Sequence, residues 1–216
     1  MMLLAILFSV LTVLKDGMFH TSYETEVAAN STSCNEVVDD MIYCLQTDPE
    51  LLSEKYFAGL GMTSETSKNS FYIKWKESSY VPETQYSKLV LDILVNEKPF
   101  LKDVVIEAMV ADSVVDKRRT IRVDIHYAGT LIKEAYGAFH VEPTSDHTAK
   151  MGMDVHVKFG WFFRMFITRK VYRETIDWRL ARFVMNMKLR SEGIVADDAY
   201  WERIDSEQVA ESLTNH

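Results

Sequence analysis

The sequence predicts an α+β fold in which an antiparallel sheet packs against a long C-terminal helix. Apolar residues occupy every second position from Met151 to Phe159, which is the pattern of a half-buried strand. From Tyr172 to Met187 they recur three or four positions apart, the stripe of an amphipathic helix that ends near Gly193. Several further alternating segments precede these two, so strands dominate the middle of the chain.

One strand and two short helices are predicted before the main group of strands. The strand covers residues 19–29. Ser33 and Glu36 have the spacing of a capping box at the start of the first helix. Asp48 and Pro49 suit the N-cap and the first helical position of the second helix, which ends before two glycines.

Six strand candidates follow the two helices. They cover residues 71–76, 89–95, 104–110, 121–127, 135–141 and 151–159, with a turn at 112–117. The pattern at 86–95 also permits a helix. Short strands at this spacing predict an antiparallel sheet. Residues 194–216 are rich in Asp and Glu and are predicted to form a tail with at most a short helix.

The N-terminal residues 1–14 form an apolar run. A membrane-spanning helix needs about 20 residues, and the run matches instead the apolar part of a signal peptide. It lacks the basic residues and the cleavage site of such a peptide, so an anchor and an element of the fold stay open as alternatives. The predicted organisation is a leader or anchor at 1–17, one domain at 18–193 and an acidic tail at 194–216. A cytoplasmic or peripheral membrane location is favoured, with secretory entry as the alternative.

Composition and charge narrow the classes of partner. The chain is 47% hydrophobic and 12% aromatic, as expected of a folded domain. Its net charge is −8, yet residues 164–190 contain eight Lys and Arg against two Asp and Glu. This local basic patch predicts either contact with an anionic membrane or a solvated helix face, and it disfavours a nucleic-acid binder. Cys34 and Cys44 lie roughly 15 Å apart if both are on one helix, so free thiols are predicted.

The order of these elements resembles the helix-grip arrangement of the StART-like superfamily. Within it the chain is most similar to the VASt sterol-transfer domains, over residues 98–190. The similar stretches are KPFLKDVVIEAMV, RTIRVDIHYAGTLIKEAYGAFHVEP and MGMDVHVKFGWFF. The resemblance implies a curved antiparallel sheet of six to seven strands wrapped around the long C-terminal helix, with an apolar cavity between them. It further implies a lipid or other small hydrophobic ligand, such as a sterol or phospholipid, and no cofactor.

Inward strand positions and one helix face would surround that cavity. The predicted lining residues are Phe71, Ile73, Trp75, Val123, Ile125, Tyr127, Phe139, Met153, Val155, Ile176, Leu180, Phe183 and Met187. The alternative is that these side chains fill the core completely, as ordinary cores require, and that the domain is a protein-interaction module.

The run at residues 160–166 has more aromatic side chains than one packed helical face usually hides. Either it packs under the sheet, or it forms a membrane-contact edge with the basic residues beside it. The predicted membrane-contact residues are Trp161, Phe162, Phe163, Arg164, Arg169, Lys170 and Arg173.

Two Asp-x-His pairs suggest an enzyme. Asp124 and His126 share one strand face, and so do Asp154 and His156. Their apolar neighbours claim the buried face, which directs the pairs outward, where cross-strand charge pairing explains them. No catalytic residue and no metal site is therefore assigned, and a cyclase-like enzyme of the same fold is kept as the alternative. Gly-rich phosphate loops and the G-x-S-x-G and HExxH motifs are missing from the sequence.

Overall fold

The computed structural model describes residues 11–15, 17–61, 71–95, 98–127, 129–130 and 132–214. Within those ranges, the side chains of residues 11–15, 71, 127, 175 and 208–214 are not described. Eight strands form one antiparallel sheet in the order β1-β2-β8-β7-β6-β5-β4-β3. The strands are β1 (Leu11–Lys15), β2 (Met18–Val27), β3 (Phe71–Val81), β4 (Tyr86–Val95), β5 (Lys98–Val115), β6 (Arg118–Tyr127), β7 (Ile132–Pro143) and β8 (Ala149–Phe159).

The helices lie before and after the six strands β3–β8. They are α1 (Ser31–Thr47), α2 (Pro49–Tyr56), α3 (Trp161–Arg164), α4 (Arg169–Tyr172), a π segment (Arg173–Asp177), α5 (Trp178–Ser191) and α6 (Asp198–Thr214). The predicted fold class is confirmed: a curved antiparallel sheet packs against a long C-terminal helix, and two helices follow the first long strand. None of the helices in these described ranges is both long and apolar enough to cross a bilayer.

The last part of the N-terminal apolar run belongs to the sheet. Strand β1 pairs antiparallel with β2, with Leu11 opposite Ser22 and Lys15 opposite Met18. This pairing gives β1 the backbone hydrogen bonds that an isolated apolar segment would lack. The first ten residues of the run lie outside the described residues.

One strand is longer than the sequence predicts. Strand β5 covers Lys98–Val115 and meets β6 across Asp116 and Lys117, so the predicted turn at 112–117 is too long. Both turn residues have positive φ, 49° and 69°, a conformation for which Asn and Gly are the usual sequence signal. At residues 86–95 the predicted strand is confirmed over its helical alternative, because Tyr86–Val95 pairs with both β3 and β5.

The first two helices start at side-chain caps. Asn30 caps α1, its side-chain oxygen accepting a hydrogen bond from the Ser33 amide at 2.9 Å, so the predicted capping box at Ser33 is wrong by three residues. Asp48 caps α2 through the Leu51 amide, with Pro49 at the first helical position, as predicted. Both cysteines are free and buried on α1.

A separate short helix precedes the predicted C-terminal helix. The chain leaves α3 after four residues and begins again at α4, where Thr168 caps the new helix by accepting a hydrogen bond from the Val171 amide. The helix then runs through the π segment into α5. Gly193 follows the last turn with φ 79°, a conformation that glycine adopts at no steric cost.

Residues beyond Gly193 form a packed helix and not only a tail. Helix α6 has 17 residues, where the sequence predicted at most a short helix. Trp201 is buried against Ala58, Leu189 and Ala196. The helix is therefore held by a contact with distant parts of the chain, which local composition does not reveal.

Candidate ligand cavity

A cavity of about 470 Å³ lies between the sheet and α5. Strands β6, β7 and β8 form its floor, and α1, α2, the π segment and α5 enclose it. The described lining residues are Met41, Leu45, Leu52, Phe57, Leu60, Ile121, Val123, Ile125, Ile132, Ala135, Tyr136, Gly137, Phe139, Met153, Val155, Val157, Ile176, Arg179, Leu180 and Phe183. Arg179 has the only formal charge among them, so the lining is almost entirely apolar.

The cavity occupies one end of the space between sheet and helix, and a close-packed core fills the other end. Along β8 the side chains change from the buried Met151 of the core to Val155 and Val157 of the cavity. Along α5 they change from Met187 and Val184 to Leu180 and Phe183. The same sheet and helix therefore enclose a close-packed core at one end and the cavity at the other.

The structure places eight of the predicted lining residues at the cavity wall. They are Val123, Ile125, Phe139, Met153, Val155, Ile176, Leu180 and Phe183. The side chains of Phe71 and Tyr127 lie outside the described residues.

Three other predicted residues lie elsewhere. Met187 is fully buried in the core, one helical turn beyond the cavity. Trp75 lies against α2, where its indole nitrogen donates to the Ser53 hydroxyl at 2.8 Å. Ile73 is half-buried and is not part of the described wall. Strand β3 is an edge strand, and β4 and β5 separate it from β6, the nearest strand of the cavity floor, so Ile73 and Trp75 lie beyond the cavity.

Sequence reasoning missed the helical wall of the cavity. Met41 and Leu45 of α1 and Leu52 of α2 line it, together with Phe57 and Leu60 after α2. Their apolar spacing on the two early helices was the available signal, but it does not distinguish a cavity wall from an ordinary core contact.

The π segment covers part of the cavity and contributes Ile176 to its wall. Asp177 is buried and accepts a hydrogen bond from the Thr21 hydroxyl at 3.0 Å. Just before the segment, the Tyr172 ring stacks on Phe19 with centroids 4.3 Å apart. Both contacts join this part of the helix to β2, and they set the position of Ile176 over the sheet. Single π turns inside α-helices frequently occur at functional sites.

Helix α3 and the residues just after it expose aromatic side chains to solvent. Trp161 is 78% exposed and Phe166 is 62% exposed, while Phe163 is half-buried. The helix follows directly after β8, whose Val157 lines the cavity. The basic residues of the predicted membrane edge, Arg164, Arg169, Lys170 and Arg173, are also exposed.

Comparisons with known proteins find likeness only in three-dimensional structure. No family model matches the chain, and no curated protein matches its sequence. A conserved protein from Geobacillus kaustophilus superposes with a TM-score of 0.51 at 12% identity, over 81% of this chain and 95% of that one. Norcoclaurine synthase from Thalictrum flavum, in complex with dopamine and hydroxybenzaldehyde, gives 0.50 at 13% identity, over 86% and 91%. A START superfamily protein from Mycobacterium smegmatis gives 0.49 at 14% identity, over 81% and 97%.

The fold is the helix-grip fold. At these identities the likeness concerns the fold alone, because one fold supports many different functions.

The outer face of the helix-grip sheet carries a row of stacked side chains. The His156 ring stacks on His20 with centroids 4.0 Å apart and on Tyr136 at 4.3 Å, so the Tyr136 ring points outward although this residue also borders the cavity. The Arg122 guanidinium lies 4.6 Å from the Tyr136 ring centroid and donates hydrogen bonds to Asp124. These hydrogen bonds hold the pKa of Asp124 below its usual value.

Both Asp-x-His pairs therefore lie on the face opposite the cavity. Burial, followed by the charge of His20, lowers the pKa of His156. No group of three or more possible metal ligands comes together within the described ranges. Strand alternation predicts that these residues point away from the cavity, and the structure shows that they do. They therefore do not contribute acid or base groups to the cavity.

Proposed function

We propose that the protein binds a small hydrophobic ligand, such as a sterol or phospholipid, in the cavity between sheet and α5, and transfers it between membranes. The single observation behind this proposal is the cavity of about 470 Å³ with an almost wholly apolar wall. Small-molecule sites commonly have volumes of roughly 300–1,000 Å³ and mostly apolar linings. The resemblance of residues 98–190 to VASt domains supports the transfer step.

The driving force is the removal of apolar ligand surface from water. Each Å² buried contributes roughly 25 cal/mol, so a ligand needs few polar contacts to be held. Met41 and Met153 in the wall have flexible, polarisable side chains that adapt to different ligand shapes. Because Ile176 lines the cavity from the π segment, we infer that displacement of this segment admits the ligand.

A catalytic function fits the lining less well. A cyclase-like enzyme needs acid or base groups that reach its substrate, and most such groups are His, Asp or Glu. The described wall contains no carboxylate and no histidine. The histidines of the two Asp-x-His pairs lie on the opposite face of the sheet.

We further propose that α3 contacts the membrane. An exposed cluster of Trp and Phe beside basic residues suits the boundary between lipid headgroups and acyl chains. Trp161 and Phe162 of α3 and Phe166 just after it supply the apolar part, and Arg169 and Lys170 lie at the start of α4. A ligand leaving the cavity near Val157 would then enter the membrane directly.

Gly137 offers a direct test of the cavity. A Cβ at this position would lie 3.5 Å from the Met153 methyl carbon, an ordinary contact, so Gly137→Ala should fold and bind as the parent does. Gly137→Leu places a branched side chain in the ligand volume and should weaken binding about tenfold or more. Binding of a fluorescent fatty-acyl probe and the melting temperature should be measured for all three proteins.

Native mass spectrometry of protein purified from its own cells completes this test. An adduct of lipid mass on the parent and on Gly137→Ala, but not on Gly137→Leu, supports the proposal. A folded Gly137→Leu protein that binds the probe as tightly as the parent contradicts it, because the ligand then lies elsewhere.

Membrane contact is tested by co-sedimentation with vesicles that contain anionic lipid. Trp161→Ser combined with Phe162→Ser should reduce the bound fraction strongly. Phe100→Ser is the matched control, because Phe100 is an aromatic residue that is 57% exposed on β5, far from α3 in the sheet order. Equal loss for the control and the α3 variant would contradict the assignment of α3 as the contact.

A further inference from the structure

The cavity surface offers a ligand almost no polar atoms. Among the described lining residues, only Tyr136 and Arg179 have polar side-chain groups. The Tyr136 ring stacks on His156 at the outer face of the sheet. The Arg179 guanidinium donates a hydrogen bond to the Leu60 carbonyl oxygen at 2.9 Å and packs on the Trp178 ring. The part of a ligand that lies inside the cavity therefore contacts apolar atoms almost exclusively.

Such a surface separates the two parts of an amphiphile. Burying a hydroxyl group without a hydrogen-bond partner weakens binding, and burying an unpaired carboxylate or phosphate weakens it far more. An alkyl chain has no such cost, because the removal of each methylene group from water is favourable. The chain of an amphiphile therefore lies inside the cavity, while the head group stays outside it.

The two ends of the cavity differ in what lies beyond them. At one end Phe139 and Met153 line the wall next to Met151 of the close-packed core. At the other end the lining residues are Val157 and Ile132, and β8 leads directly into α3. A chain that enters past α3 therefore ends with its methyl group against the core, and its head group stays at the α3 end.

The volume of the cavity limits the size of the chain. In another protein an apolar cavity of about 150 Å³ takes up one benzene molecule. The same space for each carbon atom gives roughly 18 carbon atoms for the cavity of about 470 Å³. One acyl chain of ordinary length matches this number. A sterol with its side chain has well over this number of carbon atoms, and so have the two acyl chains of a diacyl phospholipid.

We propose that the natural ligand is an amphiphile with a single alkyl chain, which fills the cavity while its head group remains at the α3 end. Fatty acids and lysophospholipids have this form. The inference rests on the proposed function and narrows it, because the cavity does not enclose a sterol or a diacyl phospholipid completely.

Competition between four lipids tests this selection. The delipidated parent protein is incubated with vesicles that contain equal amounts of octadecanoate, octadecanoyl lysophosphatidylcholine, dioctadecanoyl phosphatidylcholine and cholesterol. Native mass spectrometry of the separated protein then identifies the bound lipid. The single-chain lipids should exceed the other two at least about tenfold, because each methylene group left in water reduces the affinity about fourfold. The larger of the two single-chain adducts shows whether a carboxylate or a phosphocholine head group is preferred.

The direction of insertion is tested with octadecanoate that carries bromine near either the carboxylate or the methyl end, since bromine quenches indole fluorescence at short range. Met153→Trp and Ile132→Trp place the same reporter at the core end and at the α3 end of the cavity. The methyl-end bromine should cause the larger loss of fluorescence in Met153→Trp, and the carboxylate-end bromine should do so in Ile132→Trp. Both residues are half-buried, and either variant alone gives a result if the other does not fold.

Each outcome decides one proposal. If cholesterol or the diacyl lipid is bound as much as the single-chain lipids, the single-chain class is overturned, while ligand binding by the cavity stands. If the two bromine positions quench equally, or in the reverse order, the placement of the head group at the α3 end is overturned. If none of the four lipids is bound, the proposed function itself fails.

Discussion

The Thr21 hydroxyl of β2 donates a hydrogen bond to the Asp177 carboxylate of the π segment across 3.0 Å. Both side chains are buried, and 156 positions separate them in the sequence. The Thr21 oxygen also lies 3.4 Å from the Tyr172 hydroxyl. This contact therefore joins the sheet to the segment from which Ile176 closes the cavity.

Replacing Thr21 by valine should loosen that closure. Thr21→Val keeps the shape but removes a donor from a buried carboxylate, which should cost about 1–3 kcal/mol of unfolding free energy. Thr21→Ser restores the hydroxyl. We expect urea denaturation to show the loss for valine, and stopped-flow measurements to show faster ligand release for valine than for serine. Equal release rates for the two variants would show that this hydrogen bond does not control the closure.

Ligand affinity should depend on the length of the apolar chain. Each methylene group removed from water contributes about 0.8 kcal/mol, which corresponds to a gain of about fourfold in affinity. Isothermal titration with a series of alkanoates should show this gain for each added methylene until the chain fills the cavity, and little gain beyond that length. The limit should come at a shorter chain in Gly137→Leu. An affinity that does not change with chain length would exclude an apolar cavity as the binding site.

Strand periodicity was sufficient to predict the floor of the cavity. Val123, Ile125 and Val155 lie on the cavity face because side chains alternate along a regular strand, and the same alternation directs His156 outward. Trp75 follows the same alternation, since β3 pairs regularly with β4 from Phe71 to Trp75, but β4 and β5 separate it from the cavity floor. Strand alternation identifies the face on which a side chain lies, and the order of the strands decides whether that side chain reaches the cavity.

The extent of the cavity could not be predicted from the pattern of α5. Leu180 and Met187 belong to one apolar stripe, yet the first lines the cavity and the second is fully buried in the core. The difference depends on how far the core, which includes Tyr23, Val27 and Met151, extends along the helix. That distance is set by tertiary packing. The same reason applies to Trp201 of α6, whose burial depends on Ala58 after α2 and on Leu189 and Asn186 of α5.

Stability should decrease as the pH falls below 6.5. Burial lowers the pKa of His140 and of His156 from the ordinary 6.5, so the unfolded chain takes up protons on these residues before the folded protein does. The stability that these two histidines contribute is fully present above pH 6.5. It is lost progressively as the pH falls from 6.5 towards their lowered pKa values in the folded protein. Asp124, whose pKa is lowered from 3.8 by Arg122, contributes a further loss only at more acidic pH.

Melting temperatures measured across this range test the contribution of the two histidines. Between neutral pH and the pH at which carboxylates begin to take up protons, the melting temperature of the double variant His140→Gln, His156→Gln should fall less than that of the parent protein. His140 covers Gly152, so the single variant His156→Gln serves as a milder comparison. An unchanged slope in the double variant would assign the acid sensitivity to other groups.

Asn186 joins three helices through its buried amide. Its nitrogen donates to the carbonyl oxygens of Tyr56 and Ala58 at 2.8 and 2.9 Å, and its oxygen accepts from the Trp201 indole at 2.8 Å. Asn186→Leu leaves the two carbonyl groups and the indole N–H without these partners. The free energy of unfolding should therefore fall by about 3 kcal/mol or more. Trp201→Phe removes a single donor and keeps an aromatic ring, so it should cost less, about 1 kcal/mol for the hydrogen bond.

Chemical denaturation of the two variants measures this difference, and circular dichroism follows the helical content of α6. If the network is the cause, Asn186→Leu unfolds at much lower denaturant than Trp201→Phe, because it also frees the end of α2 beside the cavity wall at Phe57. The loss should therefore extend to ligand binding. Equal costs for the two variants would instead mean that packing of the indole ring holds α6, and that the amide contributes little.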